Sequence, residues 1–224
     1  LVISRILDCN LYIAILITAI LAIIYTWFGG IKAVIWTDVL QFFVFFFGGV
    51  LVLFLVANSC GGFSSLYTLA SEAGKTKWFD PSLSPALDRT LISAGFAYAV
   101  LEIAIRGCDQ QFVQRYLSCK SPAAANASSI LSMLLGALIS VLFYWVGAAL
   151  FVYYQISKVE SLPSGIGQND VFPHFIVNAL PSGVTGLIVA AICAAAMSSL
   201  SSAINSLSNT TENDLLLADT SSVK

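Results

Sequence analysis

Five apolar stretches of this chain approach or meet the length needed to cross a lipid bilayer, which restricts the fold before any single residue is considered. The hydrocarbon core offers backbone groups no water, so spanning segments must satisfy their own N–H and C=O groups. A helix needs about 20 mostly apolar residues to span. The candidates run from Leu11 to Phe28, Lys32 to Ala57, Leu91 to Gln114, Ser129 to Tyr154 and Val184 to Leu207. The expected fold class is all-α, a polytopic membrane helix bundle with about five spans. A hydrophobic fraction of 58% against 10% charged residues, and a mean hydropathy of +0.88, agree with that class.

Glycine fits the tight reversal expected at Gly29-Gly30, which makes the first two spans antiparallel neighbours. The polar segment from Asn58 to Thr90 reads as a solvated extracellular loop, and residues 155–183 as a second, holding a short amphipathic helix from Val171 to Leu180. His174 stands alone there and reads as a surface residue. Lys32, Arg115 and Lys120 flank the short connections, which places those connections in the cytoplasm; Lys75, Lys77, Arg89 and Lys158 fall in the longer loops, which count less. The sequons at Asn126 and Asn209 then lie inside and stay unmodified.

A net charge of −2 with no basic stripe excludes nucleic acid as an expected partner. Five cysteines show no metal-ligand spacing, although Cys9 and Cys60 share the outer face and a disulfide between them is an open alternative. No nucleophile, zinc-protease or phosphate-loop motif is present, so nothing points to an enzyme. The chain opens at Leu1 without a basic leader, as expected of part of a longer polypeptide.

Within the fifth span, AAICAAAMSSLSSAIN (190–205) is built from small residues and hydroxyls. Such a helix faces protein or a polar cavity, because lipid contact rewards neither property. Helical geometry lets Ser198 and Ser199 gather beside the Ala195 carbonyl, and three neutral oxygens out of water form half a cage for a hard cation, Na⁺. The alternative is that both hydroxyls bond back to their own helix and serve packing. Asp38 and Gln41 share a face of the second span and offer oxygens along an ion route; alternatively Asp38 is hydrated or pairs with Lys32. Glu102, Arg106 and Asp109 share a stripe of the third span, where two carboxylates neutralise Arg106 or, alternatively, Arg106 meets an anionic substrate.

Three motifs then resemble a known family. GGIKAVIWTDVLQ (29–41), DQQFVQRYLSCKS (109–121) and GLIVAAICAAAMSSLSSAINSLS (186–208) stand in the order and at the intervals of the sodium/solute symporters. The similarity is greatest to the branch with multivitamin, monocarboxylate and iodide transporters. It implies a partial inverted-repeat (5+5) core in a multi-pass plasma-membrane protein, with co-transported sodium and a small solute bound midway across the bilayer. It also implies partners in the remaining core helices. Sodium would be held by the Ala195 carbonyl and the Ser198 and Ser199 hydroxyls, completed by carbonyls of a first core helix. Asp38 and Gln41 match positions of sodium passage, and Ser201, Ser202 and Asn205 match polar positions beside the site. Where relatives place an aromatic gate over the substrate, this chain has Ile105 followed by Arg106. A passive ion channel and a non-transporting membrane sensor are the competing expectations.

Overall fold

The computed structural model describes Ser4 and residues 9–76, 90–160, 162–163 and 165–216. Lys77 and Arg89, used above for orientation, lie outside the described residues. The described chain forms helices joined by turns: α1 (Leu11–Ser59), α2 (Phe63–Glu72), α3 (Leu91–Cys108), α4 (Gln110–Leu117), α5 (Pro122–Phe151), α6 (Val171–Asn178) and α7 (Ser182–Thr210). Three helical stretches, Leu11–Ser59, Pro122–Ile156 and Ser182–Asn213, are long and apolar enough to cross a membrane.

The 49-residue α1 is two helices. Gly30, at φ 54° and ψ −158°, interrupts the helical backbone, and a Cβ on Gly29 would collide with that of Ala33. Tyr25 and Asp38 flank this break, yet they meet adjacent residues of α7: the Tyr25 hydroxyl donates to the Met197 carbonyl, and Asp38 accepts from Ser198. Along an unbroken helix the spacing between them would separate the two contacts by about 20 Å. The limbs therefore double back, as the glycine pair predicts.

The second limb of α1 lies between α7 and α5. Gly48 sits where a Cβ would come within 3.2 Å of Ala191 Cβ, and Gly49 where one would come within 2.9 Å of Leu142 Cδ2. Small residues bring the backbones together, the device membrane helices use where apolar burial gives no advantage over lipid. At the end remote from the glycine turn, Val52, Val56, Leu66, Val146, Phe175, Ile176 and Ile188 share a buried apolar cluster. Around the turn, Trp27, Phe28 and Trp36 stand exposed, as aromatic side chains do at a bilayer interface.

Three differences from the sequence reading have local causes. The third span is not one helix: Asp109 is extended at φ −74°, ψ 120°, and its side chain caps α4 by accepting from the Gln111 amide. The loop after Asn58 carries α2, whose Leu66 and Ala70 are buried. The α5 helix begins at Pro122, ahead of the apolar run, because Ser121 caps it and proline suits the first turn. Cys9 and Cys60 are both free thiols, and burial pushes the Cys60 thiol above its ordinary range.

A polar cluster where three helices meet

The site is built by α1, α4 and α7. In the second limb of α1, Asp38 projects toward α7, where Ser198 Oγ donates to its Oδ1 at 2.6 Å. From α4, Arg115 Nη2 donates to Asp38 Oδ2 at 2.5 Å and to Ser202 Oγ at 2.6 Å. A guanidinium thus bridges the carboxylate of one helix and a hydroxyl of another. The side chain of Asp38 is 15% exposed and that of Arg115 36%, so the pair is partly desolvated and each charge needs the other.

The trio expected around Ala195 is only partly assembled. Ser199 Oγ donates to the Ala195 carbonyl at 3.4 Å, the back-bond its spacing permits. Ser198 instead turns to Asp38, because a carboxylate is a stronger acceptor than a peptide oxygen. Ser201, fully buried, donates back to the Ser198 carbonyl at 3.0 Å. Gln41, one helical turn beyond Asp38, has its Oε1 buried and without a partner. Buried acceptors are ordinarily satisfied, and this one follows the carboxylate along the same face of the helix. Asn205 Nδ2 donates to Gln114 Oε1 at 2.6 Å, a second link between α7 and α4.

The other charged stripe is satisfied within the protein. Arg106 Nε pairs with Glu102 Oε2 at 2.6 Å, Nη1 donates to Ser132 Oγ at 2.9 Å, and the guanidinium lies 5.3 Å from the Phe112 ring centroid. Asp109 leaves that stripe to cap α4, so the expected triad resolves into one ion pair and one cap. Ile105, on the same helix, is half-buried. His174 is not alone: its Nδ1 lies 3.1 Å from the Tyr154 hydroxyl.

Arg115 is the residue that sequence reasoning used only for orientation. Asp38 pairs with it and not with Lys32. A signal was present, since Arg115 has no acidic residue one helical turn away and Asp38 has no basic one, so each needs a partner from another helix. Tyr25 and Gln114, which clip α7 from two sides, carried no comparable signal. Together the cluster offers an anionic carboxylate, neutral hydroxyls and a peptide carbonyl, the oxygen set that suits a hard cation.

Comparisons with known proteins converge on one family. The family model for the sodium:solute symporter family matches residues 1–219. The sodium/sialic acid symporter SiaT of Proteus mirabilis is 37% identical over 91% of this chain and 41% of its own length. The sodium-dependent multivitamin transporter of Oryctolagus cuniculus is 31% identical over 92% of this chain and 33% of its own length. A solved structure of a Na⁺-coupled sialic acid symporter, in a substrate-bound outward-open state that reveals a novel Na⁺ site, superposes with a TM-score of 0.81 at 33% identity. It covers 96% of this chain and 46% of that one. The chain therefore spans less than half the length of these relatives, which are transporters and not enzymes. On this match the chain belongs to the sodium:solute symporter family.

Proposed function

We propose that the protein carries out sodium-coupled secondary active symport of a small solute across the plasma membrane. The observation that carries the proposal is the contact of Ser198 with Asp38, which sets hydroxyls of α7 and a membrane-depth carboxylate of α1 around one point. A cation arriving there competes with Arg115 for Asp38. The charge of the site is balanced before sodium binds, and sodium must displace a tethered cation to take its place.

Ala195, Ser198 and Ser199 supply one half of the sodium cage; a helix from the remainder of the family core supplies the other. Asp38, Gln41, Ser201, Ser202 and Asn205 line the path inward. Sialic acids and monocarboxylates, carried by relatives of this chain, are organic anions, and the solute belongs to that class or to the vitamins and halides. Similarity to an outward-open structure supports taking the present arrangement as the one closed on the inner side. The described residues 58–76 and 165–183 face outside. Coupling follows because sodium and solute bind that state better than its inward-facing alternative, and an inside-negative potential contributes about 2.3 kcal/mol per charge per 100 mV.

The test is uptake of radiolabelled sialic acid, biotin, pantothenate, short monocarboxylates, iodide and glucose by the full-length protein in vesicles, in sodium and in choline. Accumulation above the outside concentration, present in sodium and absent in choline, is expected for one of them. Current without solute, or uptake indifferent to sodium, overturns the proposal.

A further inference from the structure

Beyond the Asp38 cluster the C-terminal end of α7 continues as a polar stripe. Asn205, Ser208, Asn209 and Glu212 recur at helical spacing, and with Gln114 and Ser118 they line a cavity of about 430 Å³. Two of the lining residues form an amide bridge, Asn205 Nδ2 to Gln114 Oε1 at 2.6 Å, on the side of the cavity toward the Arg115–Ser202 contact. Arg115, next to Gln114, bonds Ser202, which lies one turn before Asn205. The bridge and the Arg115–Ser202 hydrogen bond thus form two successive rungs between α4 and α7.

Gln114 is only 8% exposed, and its Nε2 is buried with no hydrogen-bond partner. A buried amide donor left unsatisfied loses its hydration and receives nothing in return. Parting α4 from α7 would admit water from the cavity to that donor, so the closed arrangement carries a penalty that opening relieves. A contact with one good bond and one orphaned donor is suited to two states of similar free energy.

We propose that the Gln114–Asn205 bridge is the inner gate of the sodium route and that the polar cavity is the vestibule into which hydrated sodium is released, with Glu212 as its carboxylate lining. This rests on the symport reading above. Opening the gate separates α4 from α7, withdraws Arg115 from Ser202 and exposes the Asp38 cluster to the cytoplasm.

The experiment uses the full-length protein in inside-out vesicles, with native cysteines replaced and a reporter thiol introduced by Ser202→Cys, beyond the gate, or by Ser208→Cys, within the vestibule. A membrane-impermeant cationic thiol reagent is applied from the cytoplasmic side, with and without saturating sodium. The vestibule thiol is expected to react at the same rate throughout. The thiol at position 202 is expected to react at least ten-fold faster when Gln114→Leu or Asn205→Leu is added, the double variant matching the singles. Sodium slows the reaction at that position. The exchanged pair Gln114→Asn with Asn205→Gln conserves the summed side-chain length and is expected to restore the slow rate, which general loosening of the fold would not allow. An unchanged rate at position 202 in the Leu variants, or an exchanged pair as fast as they are, overturns the gate. Accelerated labelling that sodium leaves untouched keeps the gate and removes the sodium reading, whereas sodium-dependent uptake with unchanged labelling does the reverse.

Discussion

Ser198 and Ser199 make different commitments although they are neighbours on one helix. Ser198 faces a carboxylate at 2.6 Å, and Ser199 returns to its own backbone at 3.4 Å. Ser198→Ala and Ser199→Ala are each expected to weaken sodium binding by about 1–2 kcal/mol, a rise of roughly 5–30-fold in the sodium concentration for half-maximal uptake, at unchanged protein abundance. Loss of abundance in step with uptake would assign both hydroxyls to packing. Asp38→Asn leaves Arg115 without its counter-charge. The expected destabilisation is about 1–3 kcal/mol, below the figure for fully buried pairs because Arg115 is 36% exposed. Adding Arg115→Gln is expected to restore the melting temperature but not the sodium dependence. Arg106 is held by Glu102 and Ser132, so Arg106→Lys is expected to leave solute affinity unchanged in a competition assay.

At the scale of elements, the decisive contact is the second limb of α1 seated between α5 and α7 on Gly48 and Gly49. Gly48→Val drives a branched side chain toward Ala191 and is expected to cost about 1–3 kcal/mol, read as a lower melting temperature of the purified protein. Three long apolar helical stretches were legible in the sequence because apolar length is a local property, and the reversal at Gly30 because a positive φ calls for glycine. The break at Asp109 was less legible: Glu102, Arg106 and Asp109 share a face only if the helix continues, and the Asp109 cap on α4 ends that periodicity. The helix α2 escaped notice within a polar loop because its buried apolar face is only Leu66 and Ala70 wide. The partners of Asp38 were hidden for another reason. Arg115 is 77 positions away and Ser198 160, and no pattern within one helix encodes which face of another it will meet.

On the scale of the whole molecule, the second limb of α1 runs antiparallel to α7, and α4 ties the cluster together with two rungs to α7. Exposed apolar side chains cover much of the surface, including Ile13, Leu16, Phe43, Leu134 and Leu187, as expected of a bundle that meets lipid and further helices. If the Gly29-Gly30 turn lies inside, as proposed, neither Asn126 nor Asn209 is expected to carry a glycan on a mobility-shift assay, whereas an acceptor sequon engineered into residues 165–170 is expected to. Glycan on a native site would invert the arrangement and place the vestibule outside. The central claim is that sodium is held by the Ala195, Ser198 and Ser199 oxygens with the Asp38 carboxylate beside Ser198 on its route, and equilibrium binding of radioactive sodium to the purified full-length protein, without solute, tests it most directly. Saturable binding that choline does not compete, and that Ser198→Ala and Asp38→Asn each weaken at least roughly five-fold, is the predicted result; binding unaffected by both substitutions would contradict it.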